Sequence, residues 1–323
     1  MPAQKTYKQN LMALLAAFIW GTAFVAQSRS AGSIGPLLFN GSRSVIGALS
    51  LVLVLFIRSR LPEPGARKAA AGQESAGEAE GKRRGEKGLL RSEKAQLLKG
   101  SLCCGIFLTL GSVLQQWGIA YTSAGKAGFI TALYVVLVPV VGFLLLKKRV
   151  GRLIWCAVAL AALGLYFLCV PRTEDLVLNR GDLLVFFSAF AYTGQILCID
   201  HFTETVDGVE LSCGQFTVMM VICLLLTPFI ENNTWAALVS CLPHILYVGI
   251  FSCAVAYTLQ ILAQKGGNPA VVSVLLCLES FFAVVSAALL LGERMDGREY
   301  LGCALMLLAV LLSQLPDRRR EGR

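Results

Sequence analysis

Residues 269–294 read PAVVSVLLCLESFFAVVSAALLLGER. From 269 to 291 the run holds one charged residue, Glu279, and is otherwise continuously apolar or small. At about 1.5 Å of rise per residue, such a run crosses the ~30 Å hydrocarbon core of a bilayer as a helix. A barrel strand would alternate polar with apolar positions, and this run does not. Its closing letters, LLLGER at 289–294, are echoed by LLLKKR at 144–149, where a second apolar run ends.

Outward from this stretch, ten spans of the same kind can be marked: 10–28, 35–57, 97–119, 126–146, 152–170, 181–200, 210–230, 237–261, 269–291 and 298–315. The composition agrees, with 56% hydrophobic and only 15% charged residues. A soluble chain carries about 25% charged residues and needs them to cover its surface. Gly, Ala and Ser recur within the spans, as in SAGKAGF and VVSAALLLG, and let membrane helices approach closely. The start, MPAQKTYKQN followed by LMALLAAFIWGTAFVAQ, resembles a signal peptide but has no A-x-A-like site, so it is read as a retained first span.

The net charge of +9 comes from basic residues beside the spans, which is the pattern of a membrane protein and not of a nucleic-acid binder. The 11 Cys sit almost entirely in apolar stretches without metal spacing. They imply packing roles, with no disulfide framework, metal or cofactor. Residues 61–95 are rich in Gly, Ala, Glu, Lys and Arg and contain no aromatic residue. They read as a flexible cytoplasmic loop.

Lys and Arg set the orientation. If both termini face the cytoplasm, the inside segments hold 22 of the 29 Lys and Arg and the outside segments six, with Arg43 left inside the second span. The expectation is a multi-pass protein of the plasma membrane with both ends in the cytoplasm.

The LLLKKR and LLLGER echoes are 145 residues apart. The same offset places Leu114-Gln115 on Leu259-Gln260 and Tyr134 on Glu279. Spans 1 and 6 align at an offset of 172, which places Trp20 on Tyr192 and Arg43 on Gln215. The extra linker accounts for most of the difference between the offsets. Each half, 1–170 and 171–323, is then a unit of five helices. Five is odd, so the second unit crosses the membrane in the opposite sense, as in secondary transporters.

Three segments carry a family resemblance. FIWGTAFV in span 1, AYTSAGKAGFITALYVVLVPVVGFLLLKK in spans 3–4 and AVVSVLLCLESFFAVVSAALLLGERMDGREYLGCALMLLAVLL in spans 9–10 resemble EamA-like transporters of the drug/metabolite transporter superfamily. The likeness runs from about residue 11 to 315, apart from 61–95. It implies an all-α membrane fold of two inverted five-helix repeats around a central cavity. It also implies transport of a small metabolite or drug, export more often than import. The chain departs from the family pattern at Lys147-Lys148, often Gly-Glu, and at Ser280, commonly Pro.

Polar groups within spans are the candidate site. Arg43 can bind an anionic or carbonyl group of a substrate, or serve as a structural pair. Glu279 can bind a cation or a coupling proton, since burial favours the neutral form of a carboxyl. It can equally be a paired structural group, for instance with Arg43. Trp20, Tyr134, Tyr192 and Tyr257 read as cavity wall or as interface anchors. Gln115, Gln195, Gln215 and Gln260 offer uncharged hydrogen bonds to a substrate or to other helices.

The function read from these features is a secondary transporter working by alternating access. No GxxxxGK[ST] signature is present, so the energy comes from a gradient, with proton coupling through Glu279 a candidate. Expected partners are a small-molecule substrate and the lipid bilayer, and not nucleic acid. Monomer and homodimer both stay open. The alternatives are a membrane-embedded enzyme, for which no nucleophile–base or metal constellation is evident, and a non-transporting receptor or scaffold.

Overall fold

Short polar residues between the apolar runs start several of the helices. Asn179 accepts from the Asp182 backbone N–H and Asp182 returns the bond, a capping box that opens α7 (Arg180–Phe202). Asp207 caps α8 (Gly208–Ile230), Thr234 caps α9 (Trp235–Tyr247), and Asn268 followed by Pro269 starts α11 (Pro269–Leu276). Asp296 and Glu299 form the capping box of α13 (Gly297–Ser313). The remaining helices are α1 (Pro2–Ser30), α2 (Pro36–Arg60), α3 (Ala76–Ile119), α4 (Ala124–Ala132), α5 (Tyr134–Leu146), α6 (Arg152–Cys169), α10 (Tyr257–Gln264) and α12 (Leu278–Leu291). This computed structural model describes residues 2–60, 76–122, 124–147, 150–170, 179–291 and 296–315.

The helices group into ten membrane units. α4 and α5 make the fourth, α9 and α10 the eighth, and α11 and α12 the ninth. Among the described residues, eight helical stretches are long and apolar enough to cross a bilayer, and Arg152–Leu168 is a shorter apolar helix. α13 spans 17 residues. The ten units match the spans read from the sequence, and the protein is an all-helical membrane protein. One boundary differs. α3 begins at Ala76, inside the stretch expected to be a flexible loop. Ala, Glu, Lys and Arg are strong helix formers, and elongating an existing span avoids the cost of a new helix nucleus. The expected loop residues 61–75 lie outside the described residues.

The packing repeats when the halves are exchanged. α3 lies along α7, and its counterpart, the α9–α10 unit, lies along α1. α1 packs on α11 and α12, as α7 packs on α4 and α5. α2 with α8, and α6 with α13, are self-paired across the halves. Gln9 of α1 donates to the Lys265 carbonyl, and Asn10 donates to Gln314 just past α13. The described ends of the chain, at Asn10 and Gln314, therefore share one face, here the near face; the opposite one is the far face.

Close approach requires small residues at these crossings. A Cβ added to Gly118 would sit 2.8 Å from the Gly181 carbonyl oxygen, and one added to Gly181 would sit 2.7 Å from that of Gly118. The α2/α8 pair is tied at both ends. On the far face the Glu231 carboxylate accepts from the backbone N–H groups of Leu37 and Leu38, capping a helix with no capping side chain of its own. On the near face Arg58 donates to Asp207 at 2.9 Å. Burial pushes the Asp207 carboxyl up, but Arg58 and the backbone N–H groups of Glu210 and Val209 outweigh it and hold it below the usual carboxylate range.

Candidate functional site

Two membrane units break at matching places. The fourth unit turns at Leu133, between α4 and α5, and the ninth at Cys277, between α11 and α12. At both breaks the helix tightens, with Val136 N–H donating to the Leu133 carbonyl and Ser280 N–H to the Cys277 carbonyl. Tyr134 opens α5 and Glu279 lies in the first turn of α12. These are the residues that the 145 offset aligns, and they meet: the Tyr134 hydroxyl donates to Glu279 Oε1 at 3.3 Å. Equivalent positions of two repeats touch only where the repeats' pseudo-symmetry axis passes between them. Gly21 brings α1 against the second break, since a Cβ there would lie 2.7 Å from the Glu279 carbonyl oxygen.

Around this contact lies a cavity of about 540 Å³, counting its opening to solvent. Both halves line it in matched pairs. The 172 offset relates Trp20 to Tyr192 and Phe24 to Ile196, and the 145 offset relates Gln115 to Gln260, Thr131 to Leu276 and Tyr134 to Glu279; all ten line the cavity. The eighth unit runs as a π-helix over Val248–Ala256 and adds Ser252 and Tyr257 to the wall. The Trp20 and Tyr257 rings meet edge-on with centroids 4.7 Å apart.

A polar layer bounds each end. Toward the far face, Arg43 Nη1 donates to Gln27 Oε1 at 3.3 Å, and Gln115 Nε2 donates to Thr131 at 3.1 Å. Tyr192 donates to Gln115 Oε1 at 3.1 Å. Toward the near face, Gln195 donates to Gln215 at 3.1 Å and Gln260 to Gln195 at 3.5 Å. Every polar member of both layers is buried.

Thus the residues expected from the sequence converge, except that Gln215 stands behind the wall as the partner of Gln195. Arg43 and Glu279 share the cavity, but among the described residues they form no ion pair with each other within 4 Å. Sequence reading missed Phe24, Gln27, Thr131, Ile196, Ser252 and Leu276. For Phe24, Ile196, Thr131 and Leu276 the signal was available in the two repeat offsets. Ser252 depends on the π segment, which no local pattern announces.

The EamA-like transporter family model matches residues 8–170 and again 179–315. The chain belongs to the EamA-like transporter family. An uncharacterized transporter of Archaeoglobus fulgidus is 28% identical over 305 residues, covering 93% of this chain and 84% of the relative. The uncharacterized transporter YwfM of Bacillus subtilis is 24% identical over 318 residues, covering 97% and 95%. One solved crystal structure superposes with a TM-score of 0.74 at 16% identity, covering 97% of this chain and 99% of its own, a likeness of fold. Members of this EamA family are membrane transporters and not enzymes, so the cavity between the halves is the candidate transport site.

Proposed function

We propose that this EamA-family protein is a secondary transporter that carries a small organic molecule across the plasma membrane by alternating access, in the export direction. The observation that carries the reading is the cavity on the pseudo-symmetry axis, lined by equivalent residues of two inverted halves. Two inverted halves have two equivalent ways of packing, one opening the cavity to each side. The five-helix units 1–170 and 171–323 are the bodies that move. The Lys/Arg bias supports placing the near face, with both termini, in the cytoplasm.

Glu279 is the proposed proton site. It lines the cavity at a helix break, and its Tyr134 partner is a neutral donor. A carboxyl that gains water when the cavity opens and loses it on closing changes its proton affinity between states, which is what coupling requires. The test is transport in proteoliposomes with a metabolite panel and an imposed proton gradient. Glu279→Gln keeps an acceptor for Tyr134, so the expected result is retained substrate exchange with lost uphill accumulation. Uphill transport by the Gln variant with an unchanged pH profile removes Glu279 from the coupling role.

A further inference from the structure

Arg43 is 2% exposed, and among the described residues no carboxylate lies within 4 Å of its guanidinium. Its contacts are neutral: the Gln27 amide oxygen at 3.3 Å and the Phe39 ring at 5.8 Å. Its Nε is buried without a hydrogen-bond partner. A buried guanidinium with neutral neighbours and a free donor is far from its lowest free energy, because a buried charge needs a counter-charge. Here the unsatisfied cation lines a cavity. The Trp20 indole Nε1, on the same cavity, is a second buried donor without a partner. The cavity's carboxylate, Glu279, is already engaged by Tyr134.

We infer that the substrate of this cavity is a small organic anion: a carboxylate on a flat apolar body, with the carboxylate paired to Arg43. The inference rests on the transport reading above and names its substrate class. The guanidinium supplies the charge and the free donor, and Trp20 supplies a second N–H. The Trp20, Tyr192 and Tyr257 rings form the apolar wall that an aromatic or unsaturated body would face. Its counterpart in the other half, Gln215, is neutral and sits behind the wall, so the cavity has one anion-binding end. In this arrangement a carboxylate is recognised without help from an amino group.

The test is binding to the purified full-length protein in detergent. Trp20 fluorescence is the readout, in a background with Trp117, Trp155 and Trp235 changed to Phe. The probes are phenylacetate, phenylacetamide and phenethylamine, which share the ring and differ in charge. Phenylacetate is expected to bind at least about tenfold tighter than the amide, the scale of one charge-assisted hydrogen bond. Arg43→Gln should remove that preference, and Arg43→Lys should keep part of it, which guards against loss through misfolding. Equal binding of acid and amide, or an acid preference that survives Arg43→Gln, overturns the inference. A preference for phenethylamine also overturns it and shifts recognition to Glu279. A carboxylate bound through Arg43 but never carried in proteoliposomes would sink the transport reading and leave this one standing. Carriage with no Arg43-dependent acid preference would do the reverse.

Discussion

At the far end of the cavity Arg43 leans on Gln27, and at the near end Gln215, the residue at the equivalent position, accepts from Gln195. Each layer includes residues of the first three units of one half, and in the far layer Gln115 bonds to Thr131 and to Tyr192 of the other half, whereas in the near layer Gln260 donates to Gln195. They differ by one charge. Both layers keep unpartnered polar atoms, Nε2 of Gln215 and Oε1 of Gln260 in the neutral layer and Nε of Arg43 in the other, but only at Arg43 does the unpartnered donor belong to a charged group. Inverted repeats give the protein two similar ends, and Arg43 against Gln215 is the matched position at which the ends differ in charge. Such a difference is what allows a symmetric scaffold to treat its two sides unequally.

Moving the charge to the other layer has the largest expected effect. Gln215→Arg would bury a guanidinium in a layer with no charged member, and the expected loss of stability is about 3–5 kcal/mol, the cost of an uncompensated buried charge. Thermal unfolding in detergent reads it, and a variant as stable as the parent would show that the near layer tolerates charge. Gly21→Ala attacks the ground between the layers. The new methyl would meet the Glu279 carbonyl at 2.7 Å and Phe282 Cβ at 2.6 Å, so about 1–3 kcal/mol of overpacking is expected. An unchanged melting curve would mean that α1 slides freely past the break.

Arg43→Gln makes the far layer resemble the near one. Removing a buried charge that lacks a counter-charge should leave the ligand-free protein as stable or raise its melting point. A fall of several degrees would identify a structural partner for Arg43.

The smallest effect belongs to the near-face tie. Arg58 and Asp207 are partly exposed, so Arg58→Gln should cost less than about 1 kcal/mol. Because Asp207 titrates below its unfolded value, the tie's contribution is present above the ordinary carboxylate range and is lost as the pH falls through the lowered one. The parent and variant should therefore converge in stability under strong acid, and a gap that widens there would be inconsistent with the assigned ion pair.

Much of this was legible from residue order because a bilayer imposes a strong pattern. Continuous apolar runs mark the ten units, and the 145 offset alone pairs Tyr134 with Glu279. The start of α3 at Ala76 was not legible, because a polar stretch that elongates a span carries no apolar periodicity to announce a helix. The helix breaks at Leu133 and Cys277 were hidden because no Gly or Pro marks them. The cross-half cap of α2 by Glu231 was equally silent, since it joins residues that are remote in the chain. For Gln215 the interhelical alternative is the one the structure shows, and an offset identifies equivalent positions but not which of them faces the cavity.

The most direct test of alternating access uses the matched cavity pair Phe24 and Ile196, half-buried and buried respectively. Phe24→Cys and Ile196→Cys are placed singly in a variant with all 11 native Cys replaced, and each is exposed to an impermeant thiol reagent from either side of oriented proteoliposomes. Alternating access predicts reciprocal behaviour: a condition that raises labelling at position 24 from the far side, such as a reversed proton gradient, lowers labelling at position 196 from the near side. Labelling that rises and falls together at the two positions, or is indifferent to the side of addition, would contradict it.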